Sequence, residues 1–523
     1  MNVLFCTQSE SLQLFDVLCG AMRSRFPIEG TGFIVADSMA YSRWLEARSG
    51  FEQEGHELLK EWEVTARPLG KPDLARLARY EMAFGGDAGL FGAVVADRRL
   101  FMGPDCAFTQ DYRRRFTDDE LLFILQRGIE KVEALFDRLK PDLVVSFICV
   151  TMLDYVAYLV AKARGIRFLN LRPTRIGDRV ALSQRLNDPS PELAAQYRRL
   201  LTGEQSQFEE EARRYIQRVR EQHGRYEGVI SPSDKPALRS NASKFARIDR
   251  LVAAVRRYFA YRNSTAASDN HVPDPLRRLY FTAWRNPRQA VRTRAFFRGR
   301  YVREADLAGI RYVFFPLHTE PEVSLLVYGR PYVNQIEIVR MLAMSLPVDM
   351  VLVVKEHPWM VGKRSLSAYQ KMLDIPRVRF ADPALEARTL VKQADLIAVV
   401  TGSVALEAAM LDKPVVTFGD CPYNLLPDTM VRRCADPRHL QVMIREAIEN
   451  HEVDEDALLA YVTAVFETSA SVNLYSVLLG KANVHAERSA AYAEEIDKLA
   501  EYMVTLLDGW AESKPTHPDT GRW

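Results

Sequence analysis

Between residues 312 and 418 the chain repeats one pattern, a short apolar run followed by a stretch with helical spacing. The runs are YVFFP (312–316), DMVLVVK (349–355), DLIAVV (395–400) and PVVTF (414–418), with a shorter RVRF at 377–380. A strand that lacks in/out alternation is covered on both faces, and interleaved helices supply the covers. Apolar residues at helical spacing occupy 333–346, 365–373, 385–394, 403–411 and 437–450. The pattern predicts a parallel, doubly wound α/β sheet.

The N-terminal half repeats the pattern less cleanly. NVLFC (2–6) reads as a strand, 10–24 as a helix and GFIVA (32–36) as a strand. PDLVVSF (141–147), a helix at 152–164 and IRFLNL (166–171) form a βαβ unit. Residues 57–139 read as mostly helical and 191–223 as one charged helix. Residues 226–275 are polar and mixed, and 285–303 carry seven arginines in 19 residues. The tail at 485–512 reads as helix that packs back on the N-terminal domain. The expected α/β architecture is therefore GT-B-like, with two doubly wound Rossmann-like domains facing a cleft, helical insertions and a C-terminal return helix. The expected divisions are 1–225 for the first domain, 226–304 for a linker with a basic helical insertion, 305–480 for the second domain and 481–523 for the return helices.

A length of 523 residues suits two or three domains, and a net charge of +2 argues against general polyanion binding, so no nucleic-acid partner is expected. The six cysteines form no CxxC pair, and the nine histidines form no HxH or HExxH, so neither a disulfide framework nor a metal site is expected. GxGxxG, GxxxxGK[ST] and GxSxG are all missing. The start, MNVLFCTQSES, reads as a first strand rather than a signal peptide, and no apolar run reaches about 20 residues. A cytoplasmic protein is expected, with peripheral contact to an inner membrane left open. The arginine-rich segment, with Phe296, Phe297 and Tyr301, reads as a membrane-surface element, an acidic-glycan contact or a solvated basic helix.

In an open parallel sheet, ligands bind beyond the carboxyl ends of the strands. Three of the expected strands end in polar clusters. PLHTEPEVS follows 312–316 and offers His318, Glu320 and Glu322; KEHP offers Lys355, Glu356, His357 and Pro358; TGS offers Thr401, Gly402 and Ser403. Gly402 permits a tight strand-to-helix turn, and Ser403 is suited to cap the following helix. The free N–H groups at that helix start suit a phosphate, and Glu407, one turn on, suits ribose hydroxyls. His357 can donate a hydrogen bond to a phosphate, Lys355 can add a contact and Glu356 can orient it. Each cluster alone is equally readable as a solvated strand exit or a simple cap.

Taken in order, YVFFPLHTEPEVS, VVKEHPWMVGKRSLSAYQKM, ADLIAVVTGSVALEAAMLDKPVVTFG and Tyr423 resemble the C-terminal domain of the bacterial capsule polysaccharide biosynthesis family, which includes Kdo transferases. The HP and Ser motifs are also similar to those of bacterial sialyl- and polysialyltransferases. The resemblance covers 310–425 well, with weaker support from VVADRRL (94–100) and LKPDLVVSF (139–147). It implies a metal-independent glycosyltransferase without cofactor, using a CMP-activated acidic sugar such as Kdo or a sialic-acid-like nonulosonate. The implied partners are that donor and a glycan, lipid-linked or protein acceptor, with a polysaccharide assembly complex left open. His357–Pro358 would hold the CMP phosphate, Thr401, Gly402 and Ser403 would lie beside the nucleotide, and Glu407 would meet the ribose. Family members commonly carry Gln where this chain has Glu320. The resemblance also implies an acidic general base in an acidic–acidic–Gly motif, of which no clean copy exists. Glu10, after the first strand, is the first choice and Glu29, before Gly30, the second. A nonhydrolysing UDP-sugar 2-epimerase and a non-catalytic glycan-binding or scaffold module stay open as alternatives.

Overall fold

The computed structural model describes residues 1–85, 89–102, 115–222, 248–264, 267–480 and 490–512. Its strands are β1 (Asn2–Gln8), β2 (Gly30–Ala36), β3 (Glu57–Lys60), β4 (Leu143–Phe147), β5 (Arg167–Pro173), β6 (Arg179–Ser183), β7 (Tyr301–Val302), β8 (Arg311–Pro316), β9 (Met350–Lys355), β10 (Val378–Ala381), β11 (Leu396–Val399), β12 (Val415–Thr417), β13 (Val431–Arg433) and β14 (Ser469–Ser471). They build two seven-stranded sheets, ordered β14-β6-β5-β4-β1-β2-β3 and β13-β12-β11-β8-β9-β10-β7. The second sheet is parallel throughout. The first is parallel from β5 to β3 and antiparallel at β5–β6 and β6–β14.

The apolar runs do what their composition requires. Successive side chains of a strand point to opposite faces. In the second sheet Phe314 and Val353 enter one core, while Val313, Phe315, Leu352 and Val354 enter the other. In the first sheet Leu4, Cys6 and Ile34 face one layer, and Val3, Phe5, Phe33 and Val35 face the opposite layer. That second layer is closed by the helix Ala490–Glu512. Its Tyr492, Ile496, Leu499, Ala500, Met503 and Leu507 recur at helical spacing and pack with Phe15, Leu18 and Met22 of the helix Ser11–Arg23.

Several expected boundaries move. The stretch 191–223 is not one helix but two, Pro191–Leu201 and Glu209–Glu221. The break falls at Gly203, whose φ of +91° lies in the left-handed region that glycine tolerates. Leu193, Tyr197, Tyr215, Ile216 and Val219 of this pair pack with the helix Glu455–Glu467 against the second sheet, so they leave the first domain to which 1–225 assigned them. At the other end, β14 pairs with β6, so the chain rejoins the first sheet at Ser469, before the expected limit of 480. β7 extends the second sheet by pairing with β10, inside the stretch expected to be linker. Within 57–139, β3 is a strand beside β2. The expected linker residues 226–247 and the start of the tail at 481–489 lie outside the described residues.

Part of the former linker is anchored in the first domain. The Asp269 carboxylate accepts from Ser38 N at 2.5 Å and from His271 N at 2.7 Å. Farther on, the helix Asn286–Phe296 docks on the second domain, burying Ala290, Thr293 and then Phe297, which stacks on Tyr301 at 4.3 Å. Five cysteines are buried and free, and Cys106 lies outside the described residues. No helix among the described residues is long and apolar enough to cross a membrane.

Leu499 has no solvent exposure in this arrangement. Leu499→Asp puts a carboxylate into the layer beneath β1 and is expected to destabilise the first domain by roughly 4 kcal/mol or more. Urea unfolding and soluble yield check this, with the exposed Glu501→Gln as a control expected to match the parent protein.

Candidate functional site

β11, β8 and β9 are neighbours in the second sheet, so their carboxyl ends emerge side by side. Leu317 N donates to Lys355 O at 2.9 Å, joining the exits of β8 and β9. Thr401 N donates to His318 Nε2 at 3.3 Å, joining the exits of β8 and β11. The three clusters singled out in the sequence therefore meet on one edge.

Their side chains divide into an inner set and an outer set. Glu356 and Glu320 are inner. Arg364, wholly buried, lies 2.6 Å from Glu356 through Nε and 3.2 Å from Glu320 through Nη1. Tyr369 OH donates to Glu356 at 2.8 Å, and Gln335 Nε2 donates to Glu320. These carboxylates hold the scaffold rather than face a donor, which corrects the expectation for both. Lys355 is also turned inward, where Nζ donates to Pro383 O at 3.1 Å and burial pulls its pKa down to about 8.

His357 belongs to the outer set. Its N–H donates to Glu356 Oε1 at 2.8 Å, which fixes the backbone, and its Nδ1 accepts from Trp359 N at 3.2 Å. An accepting Nδ1 places the proton of the neutral ring on Nε2. The ring is partly exposed, and Pro358 starts the short turn Pro358–Met360 behind it. His318 keeps part of its surface toward the cleft, yet loss of water, followed by the charges of Arg175 and His357, pushes its pKa down to about 3. It is a neutral acceptor for Thr401 N.

The loop Thr401–Ser403 departs from expectation in two ways. Gly402 does not occupy the left-handed region, and an added Cβ would meet His318 Cε1 at an ordinary 3.5 Å, so the turn does not demand glycine. Ser403 makes no side-chain cap, because its own backbone is already helical. Several of the loop's polar groups are instead engaged elsewhere. Thr401 Oγ1 donates to Ser324 O at 3.0 Å, Thr401 O accepts from Arg175 Nη1 at 2.6 Å, and Gly402 O accepts from Tyr423 OH at 2.6 Å. Ser403 is partly exposed, and Thr401 N is already committed to His318. Glu407 is held by Arg388 Nη1 at 2.7 Å, and that guanidinium also donates to Val219 O and Arg220 O.

Two arginines from the first domain complete the site, and the sequence reading missed both. Arg175 follows β5, adopts φ +65° and reaches Thr401 O across the cleft. A non-glycine residue in the left-handed region costs about 1–3 kcal/mol and persists only where its surroundings hold it. Arg98 Nη1 donates to Pro321 O at 3.1 Å. Glu322 is exposed and feels the charge of both arginines. Desolvation raises its pKa, opposed by Arg175 and Arg98. Glu10 is exposed at the carboxyl end of β1. Glu29 precedes β2 and so lies at the opposite edge of that parallel sheet, which removes it as a candidate.

A second buried cluster has the spacing of a cation site. His271 Nε2 is 3.5 Å from Glu61 Oε2 and 3.6 Å from Asp97 Oδ2. However, Arg99 Nη1 lies 2.9 Å from His271 Nδ1, and arginine can only donate. Nδ1 is therefore the lone-pair nitrogen, and Nε2 carries a proton toward the two carboxylates. The chemistry favours a polar clasp on the linker over metal ligation.

Two measurements test this geometry. Arg364→Ala leaves two buried carboxylates without their cation and is expected to cost about 3–5 kcal/mol of stability, read by denaturant unfolding. His318 resists protonation when folded, whereas its unfolded form takes up a proton below about pH 6.5. Stability is therefore lost as pH falls from about 6.5 toward the folded value near 3. His318→Asn is expected to flatten the melting-temperature profile in that window while leaving the slope above pH 7 unchanged.

Residues 251–448 match the family model described as capsule polysaccharide biosynthesis protein. No curated protein matches the chain. Among solved structures it is similar to the beta Kdo 2,7 transferase of Thermosulfurimonas dismutans KpsC, at 11% identity, with 72% of this chain and 89% of that chain covered and a TM-score of 0.34. It is similar to the beta Kdo 2,4 transferase of the same KpsC at 12% identity, covering 64% and 83%, with a TM-score of 0.31. A UDP-GlcNAc 2-epimerase from Neisseria meningitidis, bound to UDP-GlcNAc, gives 12% identity, coverage of 89% and 98%, and a TM-score of 0.28. These likenesses are loose and fix no substrate. The stretch that the capsule polysaccharide biosynthesis model matches takes in the exits of β8, β9 and β11 and is similar to that family over residues 251–448.

Proposed function

We propose that the protein is a metal-independent glycosyltransferase that moves an acidic sugar, Kdo or a related nonulosonate, from a CMP-activated donor to a surface-glycan acceptor. The observation that carries this reading is the convergence of His357, Ser403 and Arg175 around Thr401 and His318. The Nε2–H of His357 and the Ser403 hydroxyl suit a phosphate. Glu407, already ordered by Arg388, lies one turn into the helix and suits the ribose. Arg175 and Arg98 give the carboxylate of an acidic sugar a cationic wall.

In this reading, the bond between the anomeric carbon and the phosphate oxygen breaks, and CMP departs with the electron pair. Hydrogen bonds and arginine charge at the phosphate stabilise the leaving group as its charge develops. The acceptor hydroxyl bonds to the anomeric carbon and loses its proton to a carboxylate. Glu10 at the end of β1 and Glu322, under the charge of both arginines, are the two candidates for that base.

Calorimetric titration with CMP, UDP and GDP tests the donor class. CMP is expected to bind, and His357→Ala is expected to weaken it about tenfold to a hundredfold, the size of a lost hydrogen bond to a charged group. Consumption of UDP-GlcNAc without acceptor would replace the transferase with an epimerase. Failure of all three nucleotides to bind would replace it with a non-catalytic glycan-binding module.

A further inference from the structure

On either side of its anchor in the first domain at Asp269–Val272, and up to its docking on the second at Ala290, the chain carries a helical projection in which the helix Ile248–Arg262 packs on Pro275–Tyr280. The projection comprises the helix Ile248–Arg262, the helix Pro275–Tyr280, the wider turn Phe281–Arg285 and the exposed side of Asn286–Phe296. Among the described residues, five aromatic side chains are largely exposed, and three of them are here: Phe259 at 58%, Tyr280 at 54% and Trp284 at 57%. Val252, Val255 and Val291 are also exposed. Val252, Val255 and Phe259 follow one another at helical spacing on the first helix, while Tyr280, Trp284 and Val291 lie on three successive elements.

Charge on the projection is strongly biased to arginine, although Asp249 lies in its first helix. Residues 252–303 contain twelve arginines and only two acidic residues. Both acids are occupied locally, Asp269 by Ser38 N and His271 N, and Asp274 by Leu276 N and Arg277 N. Arg256, Arg257, Arg262, Arg277, Arg278 and Arg288 are exposed. Exposed aromatics beside a field of arginines that far outnumber the acidic residues are what an interfacial helix needs to enter the headgroup region of an anionic bilayer.

We propose that this projection seats the protein on an anionic phospholipid surface, with Phe259, Tyr280 and Trp284 entering the interface and the arginines pairing with lipid phosphates. The helix Asn286–Phe296 joins it to the site: Gln289 Nε2 donates to Arg364 O at 3.2 Å, and Gly362 packs directly on Ala290. Seating the projection therefore places the His357 side of the cleft near the membrane surface. This inference uses no step of the proposed reaction and stands if that reaction is wrong.

Co-sedimentation of the full chain with vesicles tests it. Strong binding is expected to vesicles of phosphatidylglycerol and phosphatidylethanolamine, with weak binding to phosphatidylcholine alone and weakening as salt rises. Phe259→Ser combined with Trp284→Ser, and separately Arg256→Glu combined with Arg257→Glu, are each expected to reduce partitioning at least tenfold while leaving the thermal melt unchanged. Equal binding to both vesicle types, no binding, or variants that bind like the parent protein would overturn the proposal. So would a dimer in the absence of vesicles that the apolar variant converts to monomer, since Phe259 and Trp284 would then form a contact between copies of this chain.

Discussion

The site depends on one buried cation. Arg364 lies eight residues beyond Glu356 and folds back beneath the exits of β8 and β9, where it meets Glu356, Glu320 and, through Glu356, Tyr369. Isolated charges do not survive such burial, so the groups stand or fall as a set. The set also determines direction. Glu356, gripped from below by Arg364 and Tyr369, receives the N–H of His357 on its other oxygen, and this turns the next residue outward. The outward donor is thus a consequence of the inward salt bridge.

The cleft is built from both halves of the chain in unequal ways. The second sheet supplies imidazoles at adjacent strand ends. The first domain supplies guanidinium groups on Arg98 and Arg175. Arg175 makes this division durable, because its backbone is held in an uncommon conformation while its side chain binds a carbonyl of the opposite domain. Glu322 feels both contributions: desolvation raises its pKa, and Arg175 and Arg98 oppose the rise.

The sheet strands were legible because burial on both faces leaves a mark that composition alone carries. RYVFFP and MVLVVK admit few other readings. Strands such as ELLK, RVALS and SAS were not legible, because their pairing with a longer neighbour, and not their own sequence, makes them strands. The candidate site was half legible for a related reason. The clusters after β8, β9 and β11 could be located from strand order, but which side chain faces outward depends on distant partners. Nothing near Glu356 announces Arg364 as its partner, and nothing in TGS shows that Ser403 would already be helical and so leave its hydroxyl unused as a cap. Arg175 and Arg98 were invisible for the same reason, since each acts on a domain far from it in the chain.

The pairing of β6 with β14 has a mechanical consequence. The chain leaves the first sheet after Ser183 and returns at Ser469, and these two crossings lie side by side at one edge, with Arg179 bonded to both Phe466 O and Ser469 O. Two adjacent crossings tie the halves along one edge. The segment between Val272 and Ala290 is a further described crossing. Val327 and Tyr328 add a contact of another kind, entering the core of the first domain from the second. The walls of the cleft are therefore fastened both by the chain's path and by packing, so a change at either fastening is felt at the strand exits between them.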